Sequence, residues 1–334
     1  MKKPLHNFII FIGYTIPLYL LLFTSSAQAQ HFIFGNEKTK IEVGVNFGPT
    51  FFLGDLGGNR GRGTTFVKDV NFELTKIMKG AFIGFYPSEW LGFRIAAQQT
   101  YLEGKDDLID VKGGLEIFRK ERNLNFKTNM FEAYAAVELY PLMLLNNQNP
   151  DYTPRYRPYG FIGVGMFTFN PKGSLTDQNG NVTWHELAPL HTEGQGFAEY
   201  PNRKNYSLTQ LNIPMGGGIK YMVSDKVTMA VELLYRKTFT DYIDDVSTEY
   251  IDPNLFDKYL SVSDANIARQ INDKTFTSYV PGSSRFTAGT QRGNPKNNDA
   301  YFSFVLKLGV RLGDTYASTS ARMYAGKTRC PERF

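Results

Sequence analysis

The feature that most constrains this chain is an alternation of apolar and polar residues with period two, sustained over long segments and met about eight times. Neighbouring side chains of a β-strand point to opposite faces, so each segment predicts a strand with one apolar face. The first covers Lys40 to Leu53, with Ile41, Val43, Val45 and Phe47 opposite Glu42, Gly44, Asn46 and Gly48. The second is Ile77 to Tyr86, with Ala81, Ile83 and Phe85 on the apolar face. In the third, Trp90 to Tyr101, Leu91, Phe93, Ile95 and Ala97 alternate with Gly92, Arg94, Ala96 and Gln98. The fourth, Thr128 to Tyr140, sets Phe131, Ala133, Ala135, Val137 and Leu139 against Glu132, Tyr134, Glu138 and Tyr140.

The fifth, Tyr159 to Phe169, is apolar on both faces, so periodicity does not orient it. The sixth, Ser207 to Val223, places Ile213, Met215, Ile219 and Tyr221 opposite Asn212, Gly216, Gly218 and Lys220. In the seventh, Lys226 to Phe239, Val227, Met229, Val231, Leu233 and Tyr235 face away from Thr228, Glu232 and Arg236. The last has the strongest pattern: Phe302, Phe304, Leu306, Leu308, Val310 and Leu312 alternate with Tyr301, Ser303, Lys307 and Arg311.

Such strands build either a sandwich, whose polar faces meet water, or a membrane barrel, whose apolar faces meet lipid. The non-apolar faces decide. They carry small and aromatic residues with isolated charges, as a narrow packed lumen requires. Glu42, Glu132, Glu138 and Glu232 nearly balance Arg94, Lys220, Arg236, Lys307 and Arg311, and inside a small barrel they are expected to pair across strands, since a lone buried charge is costly. Connection lengths agree. Turns around Ser88-Glu89 and Ser224-Asp225 are short, Pro141 to Pro158 is intermediate, and the segments 54–76, 102–127, 170–206 and 240–299 are long. That rhythm predicts an all-β fold, an eight-stranded antiparallel outer-membrane barrel with long extracellular loops, short periplasmic turns and both termini in the periplasm.

The start of the chain assigns the compartment. Lys2 and Lys3 precede an apolar stretch from Phe8 to Phe23, and Ala27-Gln28-Ala29 is a small-residue cleavage site, so residues 1–29 read as a signal peptide. No cysteine lies near that site, which excludes a lipoprotein. The barrel is expected over 30–313 and a periplasmic tail over 314–334. Beyond the leader there is no apolar run long enough for a transmembrane helix. The leader's two lysines take the formal charge of +5 down by two, and no basic run stands out, which argues against a nucleic-acid partner.

An eight-stranded barrel is filled by its own side chains and is no open pore, so its working surfaces are its two ends and its lipid face. No Walker or dinucleotide signature is present, and no enzyme is expected, so no catalytic residue and no cofactor are assigned. His185-Glu186 with His191 and Glu193 lacks the spacing of a helical zinc motif, and Pro189 interrupts it, so no metal is assigned there. Asp241, Asp244, Asp245, Glu249 and Asp252 are dense enough in oxygen ligands to raise calcium, but lack the glycine and terminal glutamate of a calcium loop. Turn-forming carboxylates are the plainer reading. Leu255, Phe256, Tyr259 and Leu260 after Asp252-Pro253 suggest a short helix in the same loop. The lone cysteine, Cys330, sits in Arg-Cys-Pro-Glu-Arg-Phe at 329–334. An unpaired cysteine in an exported chain points to an intermolecular disulfide, a reactive thiol or a tolerated one.

Several motifs together carry a family resemblance. Gly-Asp-Leu-Gly-Gly-Asn at 54–59, Tyr-Arg-Pro-Tyr-Gly-Phe-Ile-Gly-Val-Gly at 156–165, Leu-Asn-Ile-Pro-Met-Gly-Gly-Gly at 211–218, Asp-Asp-Val-Ser-Thr at 244–248 and Arg-Cys-Pro at 329–331 follow in order. The chain resembles the PorG-type outer-membrane barrels of Bacteroidetes, components of the type IX secretion system. The resemblance implies a non-enzymatic role in protein export, extending to gliding motility, in which the barrel anchors a periplasmic ring built from a lipoprotein and its partner. The residues expected to meet that ring are Arg329, Cys330, Pro331, Arg333 and Phe334 of the tail, with Tyr152, Arg155, Tyr156 and Arg157 of the long periplasmic turn. A free-standing surface barrel binding a ligand or host molecule through its loops is the alternative.

Overall fold

The structure, a computed structural model, describes residues 40–56, 74–109, 116–146, 154–275 and 286–312. The leader, Tyr152 and the tail with Cys330 lie outside the described residues. Eight strands form the barrel: β1 (Lys40–Leu53), β2 (Lys76–Tyr86), β3 (Leu91–Lys105), β4 (Asn125–Leu139), β5 (Tyr156–Thr168), β8 (Thr209–Met222), β9 (Val227–Thr238) and β10 (Ala300–Leu312). They are hydrogen-bonded in the order β3-β2-β1-β10-β9-β8-β5-β4, all pairs antiparallel, and β3 pairs with β4 from Leu91↔Leu139 to Lys105↔Asn125. That last ladder closes the sheet on itself, so no barrel strand is left with an open edge.

The alternation predicted from sequence is the one observed. Ile77, Ile95 and Val164, between 67% and 70% exposed, stand on the outer wall, while Glu42, Arg94, Glu132, Lys220 and Lys307 point into the barrel and are almost fully buried. β5, whose orientation periodicity left open, turns Ile162, Val164 and Met166 outward and Tyr159, Phe161 and Phe167 inward. An apolar wall around a polar, filled lumen is the arrangement of a membrane barrel and inverts that of a water-soluble sandwich. β3 and β4 run to 15 residues each, more than the 9–11 or so that cross a bilayer. The barrel therefore stands above the membrane at one end.

At that end the long connections build a folded cap. A hairpin of β6 (Lys172–Thr176) and β7 (Val182–Glu186) grows from the top of β4 through the pair Lys127↔Lys172. With it come the helices α1 (Glu116–Arg122), α3 (Leu255–Tyr259) and α4 (Val262–Asn272). Their apolar residues, among them Leu190, Phe197, Ile243, Phe256, Ala268 and Ile271, pack with Phe126, Phe167 and Tyr301 from the strand ends into one core. The sequence suggested α3 but neither the hairpin nor α4. Signals for both are present. Asp177 Oδ1 accepts hydrogen bonds from the Asn179 and Asn181 amides to close the Asn179-Gly180 turn, and Ser261 caps α4 by accepting from the Asp264 amide.

The opposite end has the turns 87–90 and 223–226 and a connection carrying α2 (Pro141–Leu145). Within the sheet, Gly216 is required by close approach. A Cβ built there would stand 1.9 Å from the Leu233 carbonyl oxygen of the neighbouring strand. A Gly216→Val chain is therefore expected to lose the β8–β9 ladder, seen as loss of the fast-migrating folded band on unheated gel electrophoresis.

Candidate functional site

The lumen contains four glutamates and five cations on six different strands. Arg94 reaches Glu232 at 2.6 Å and Glu138 at 3.2 Å; Lys307 reaches the same two carboxylates at 3.6 and 3.4 Å. Lys220 joins Glu42 at 3.2 Å to Glu138 at 3.9 Å, and Arg311 lies 3.6 Å from Glu42. Higher up, Arg236 pairs with Glu132 at 3.3 Å, and Asn212 donates to the other oxygen of that carboxylate at 2.6 Å. Phenols complete the lattice: Tyr86 and Tyr140 donate to Glu138, and Tyr159 donates to Glu232. Rings of Phe82, Phe161 and Tyr301 lie under Lys307, Arg94 and Arg236 within 4.4–4.9 Å. Every charge singled out on the polar faces is thus paired across strands, as expected from their near balance. The cross-bracing fills the lumen with buried, paired side chains, as in a barrel of about eight strands.

At the short-turn end a second clamp locks the rim. Glu89, in the β2–β3 turn, accepts from both Lys40 and Arg157. Burial pushes the Glu89 carboxyl up, but Lys40 and Arg157 outweigh it and hold it at about 2. This corrects one expectation: Arg157 is only 7% exposed and is engaged in the rim, so it is not offered to a partner. Tyr156 is corrected too. It belongs to β5 rather than to the turn, is 65% exposed on the outer wall, and meets Tyr221 at a tilt with ring centroids 4.8 Å apart, as part of an aromatic girdle with Phe85 and Phe93. The sequence missed α2, where Leu142, Leu144 and Leu145 are exposed, Leu145 at 80%. Arg155 lies just before β5, and its backbone carbonyl accepts from the Met222 amide.

At the long-loop end the acidic residues divide. Asp245 takes hydrogen bonds from Tyr206 and Thr192, and Glu193 binds Arg292 at 2.9 Å together with the Ser247 and Thr248 amides. Asp241 and Asp244 instead meet Asp55 and Asp299, more than fifty residues away in the chain, where the four carboxylates repel one another. Asp244 accepts from the Leu56 and Val246 amides and Asp299 from the Ile243 amide. One oxygen each of Asp241 and Asp299 is buried without a hydrogen-bond partner. The trio Asp241, Asp244 and Asp245 does not converge on one point. Among the described residues, no group of three or more His, Cys, Asp or Glu is arranged to hold a metal ion. His185 lies beside Thr183 on the hairpin, apart from the buried Glu193.

Burial, chiefly, pushes Asp241 up to about 8 and Asp245 up to about 6, and with mutual repulsion it carries Asp244 and Asp299 well above the carboxylate range. Raised carboxyls bind protons more tightly folded than unfolded. Their contribution to stability is full below about pH 4 and is lost as the pH rises through about 6 to 8. Amides of Ile243 and Val246 should therefore show higher protection factors at pH 5 than at pH 9. Asp241→Asn, at the carboxyl raised to about 8, should recover on the order of 1–3 kcal/mol at pH 9 and nothing at pH 5. No gain at pH 9 would mean that the cluster is not proton-linked.

No family model matches this chain, and no curated protein does. Solved structures of outer-membrane proteins are similar to it at low identity. The outer membrane protein OprG from Pseudomonas aeruginosa is 12% identical, with 84% of this chain and all of that one covered at a TM-score of 0.34. A major outer membrane protein from Thermus thermophilus is also 12% identical, with 83% of this chain and 100% of that one covered at a TM-score of 0.35. Ail, the attachment invasion locus protein of Yersinia pestis, is 7% identical over 83% of this chain and 100% of its own, at a TM-score of 0.33. The assignment of the fold rests on the closed ladder and the outward apolar wall of the chain itself.

Proposed function

We propose that this barrel is a non-enzymatic outer-membrane component of a type IX protein-secretion apparatus, which ties a periplasmic lipoprotein ring and its ring partner to the membrane. The observation that supports an anchor over a conduit is the cross-braced lumen, with Arg94, Lys220 and Lys307 spanning it to Glu42, Glu138 and Glu232. A polypeptide cannot pass there, so the work falls to the ends. The alternation of short and long connections favours an orientation with the short-turn end and both termini in the periplasm. On that reading the ring meets the exposed α2 leucines, Arg155 and the tail 314–334. Cys330 forms the covalent contact, flanked by Arg329, Pro331, Arg333 and Phe334. The family part of this reading rests on the motif resemblance.

The packed cap favours a second reading, a surface barrel whose loops bind a ligand. One experiment separates the two. The tagged full chain is pulled from gently solubilised outer membranes with and without reductant, beside a chain truncated at Arg322 and one with the loop 240–299 shortened. An anchor brings down the ring lipoprotein, disulfide-linked without reductant, and loses it with the tail but not with the loop. A barrel recovered alone under both conditions would favour the loop reading. Secretion and ring recovery unchanged in Cys330→Ser would remove the thiol from the contact.

A further inference from the structure

On the outer wall, β2, β3 and β4 turn from apolar to mainly polar toward the long-loop end. Below the change lie Ile83, Ile95 and Val137, and across the three strands a shallow lane of outward alanines, Ala81↔Ala97↔Ala133. Above it the outward positions are mainly polar, Lys79↔Gln99, Tyr101↔Asn129 and Glu103↔Lys127, with Ile77 and Phe131 as exposed apolar residues among them. The β6–β7 hairpin overhangs this line and forms an open groove of about 750 Å³ lined by Lys76, Tyr101, Glu103, Lys127, Asn129 and Lys172.

The charges in this groove do not balance. Lys76 and Lys105 share the single carboxylate of Glu103, at 2.6 and 3.2 Å. Lys172 has Glu186 at 3.2 Å, a pair half in solvent and therefore weak. Lys127 lies 3.7 Å above the ring of Trp184. Lys127 and Lys172 are moreover direct cross-strand partners, the point where the hairpin joins the barrel. Like charges placed opposite each other in a ladder are destabilising. Among the described residues, the lining sets Lys76, Lys127 and Lys172 against Glu103, with Lys79, Lys105 and Glu186 beside it, where the apolar wall gives way to polar positions. An anion between the lysines would turn that repulsion into attraction.

We infer that this groove is a lipid site: the lysines hold the phosphates of a phosphorylated outer-leaflet lipid, whose acyl chains lie along the alanine lane. The height favours this ligand over a soluble anion. The phosphates of a leaflet lie at the edge of the hydrocarbon, where the outer wall changes from apolar to basic. From the proposed function the inference takes only the orientation of the barrel, so lipid retention and ring recovery fail independently.

The test uses the full chain in phosphatidylcholine nanodiscs, titrated with bisphosphorylated lipid A, with bound lipid counted by native mass spectrometry. Wild type is expected to retain the lipid and to ignore its dephosphorylated form. At about fivefold for each lysine at an anionic surface, Lys127→Gln combined with Lys172→Gln should weaken retention roughly 25-fold. Lys127→Arg with Lys172→Arg should keep it, and the folded gel band of each variant reports that the barrel is intact. Equal retention by the glutamine pair, or equal retention of dephosphorylated lipid, would overturn the site. Displacement by millimolar inorganic phosphate would overturn its being a lipid site. A preference for phosphatidylglycerol over lipid A would overturn the outer-leaflet assignment.

Discussion

Replacing Glu138 by alanine is expected to destabilise the barrel by about 3–5 kcal/mol, because it leaves buried charges without their partner. Glu138 is fully buried and lies within 3.2–3.9 Å of Arg94, Lys220 and Lys307, while the phenols of Tyr86 and Tyr140 donate to it. It thereby ties β4 to β2, β3, β8 and β10. Glu138→Gln keeps the shape and some of the hydrogen bonds but not the charge, so it should fall between wild type and alanine. Urea unfolding in detergent micelles, followed by tryptophan fluorescence, measures both. A loss below about 1 kcal/mol for alanine would mean that water or a neighbouring glutamate takes over the cations, and that the network does not brace the barrel.

Phe256→Ala should give a loss of similar size, about 3–5 kcal/mol for a large buried ring, but confined to the cap. Phe256 is fully buried, meets Phe197 edge-on at 6.3 Å, and sits in a core drawn from loops and strand ends. The lumen below has its own apolar cluster, with Met78, Phe82, Tyr134 and Leu234. Two cores at different heights predict two unfolding units. Limited proteolysis should cut the Phe256→Ala chain rapidly within 240–299 while the barrel keeps its folded gel mobility. Simultaneous loss of the barrel band would show that cap and barrel unfold as one.

The contrast between the two variants follows how much of each region could be read from sequence. The lumen charges were legible because a strand's period assigns every residue to a face, and Glu42, Arg94, Glu138, Lys220, Glu232 and Lys307 all fell on the non-apolar one. Which glutamate meets which cation was not legible. Several of those pairs, such as Arg94–Glu232, Lys220–Glu42 and Lys307–Glu138, join strands that are not neighbours, so they depend on the stagger of ladders such as Leu91↔Leu139 and Ile41↔Leu312, which period alone does not give. Arg157 shows the limit from the other side. Its place in the long periplasmic connection suggested an available arginine, whereas closure of the barrel brings Glu89 from a distant turn and buries it.

The cap was harder to read, since its elements are short and their burial depends on what the other loops contribute. Asp241 and Asp244 looked like a local cluster with Asp245, yet the fold sends Asp245 to Tyr206 and brings in Asp55 and Asp299 from the far sides of the chain. No spacing rule reaches that far. By itself the sequence determined the positions of the barrel strands, the face of each side chain outside β5 and the closed eight-stranded architecture, because backbone geometry links these to a local two-residue pattern. Only the tertiary structure decided the partners: the ion pairs of the lumen, the rim clamp on Arg157, the carboxylates of the cap and the lysine groove on the wall. These depend on register and closure, which bring together residues that no local pattern connects.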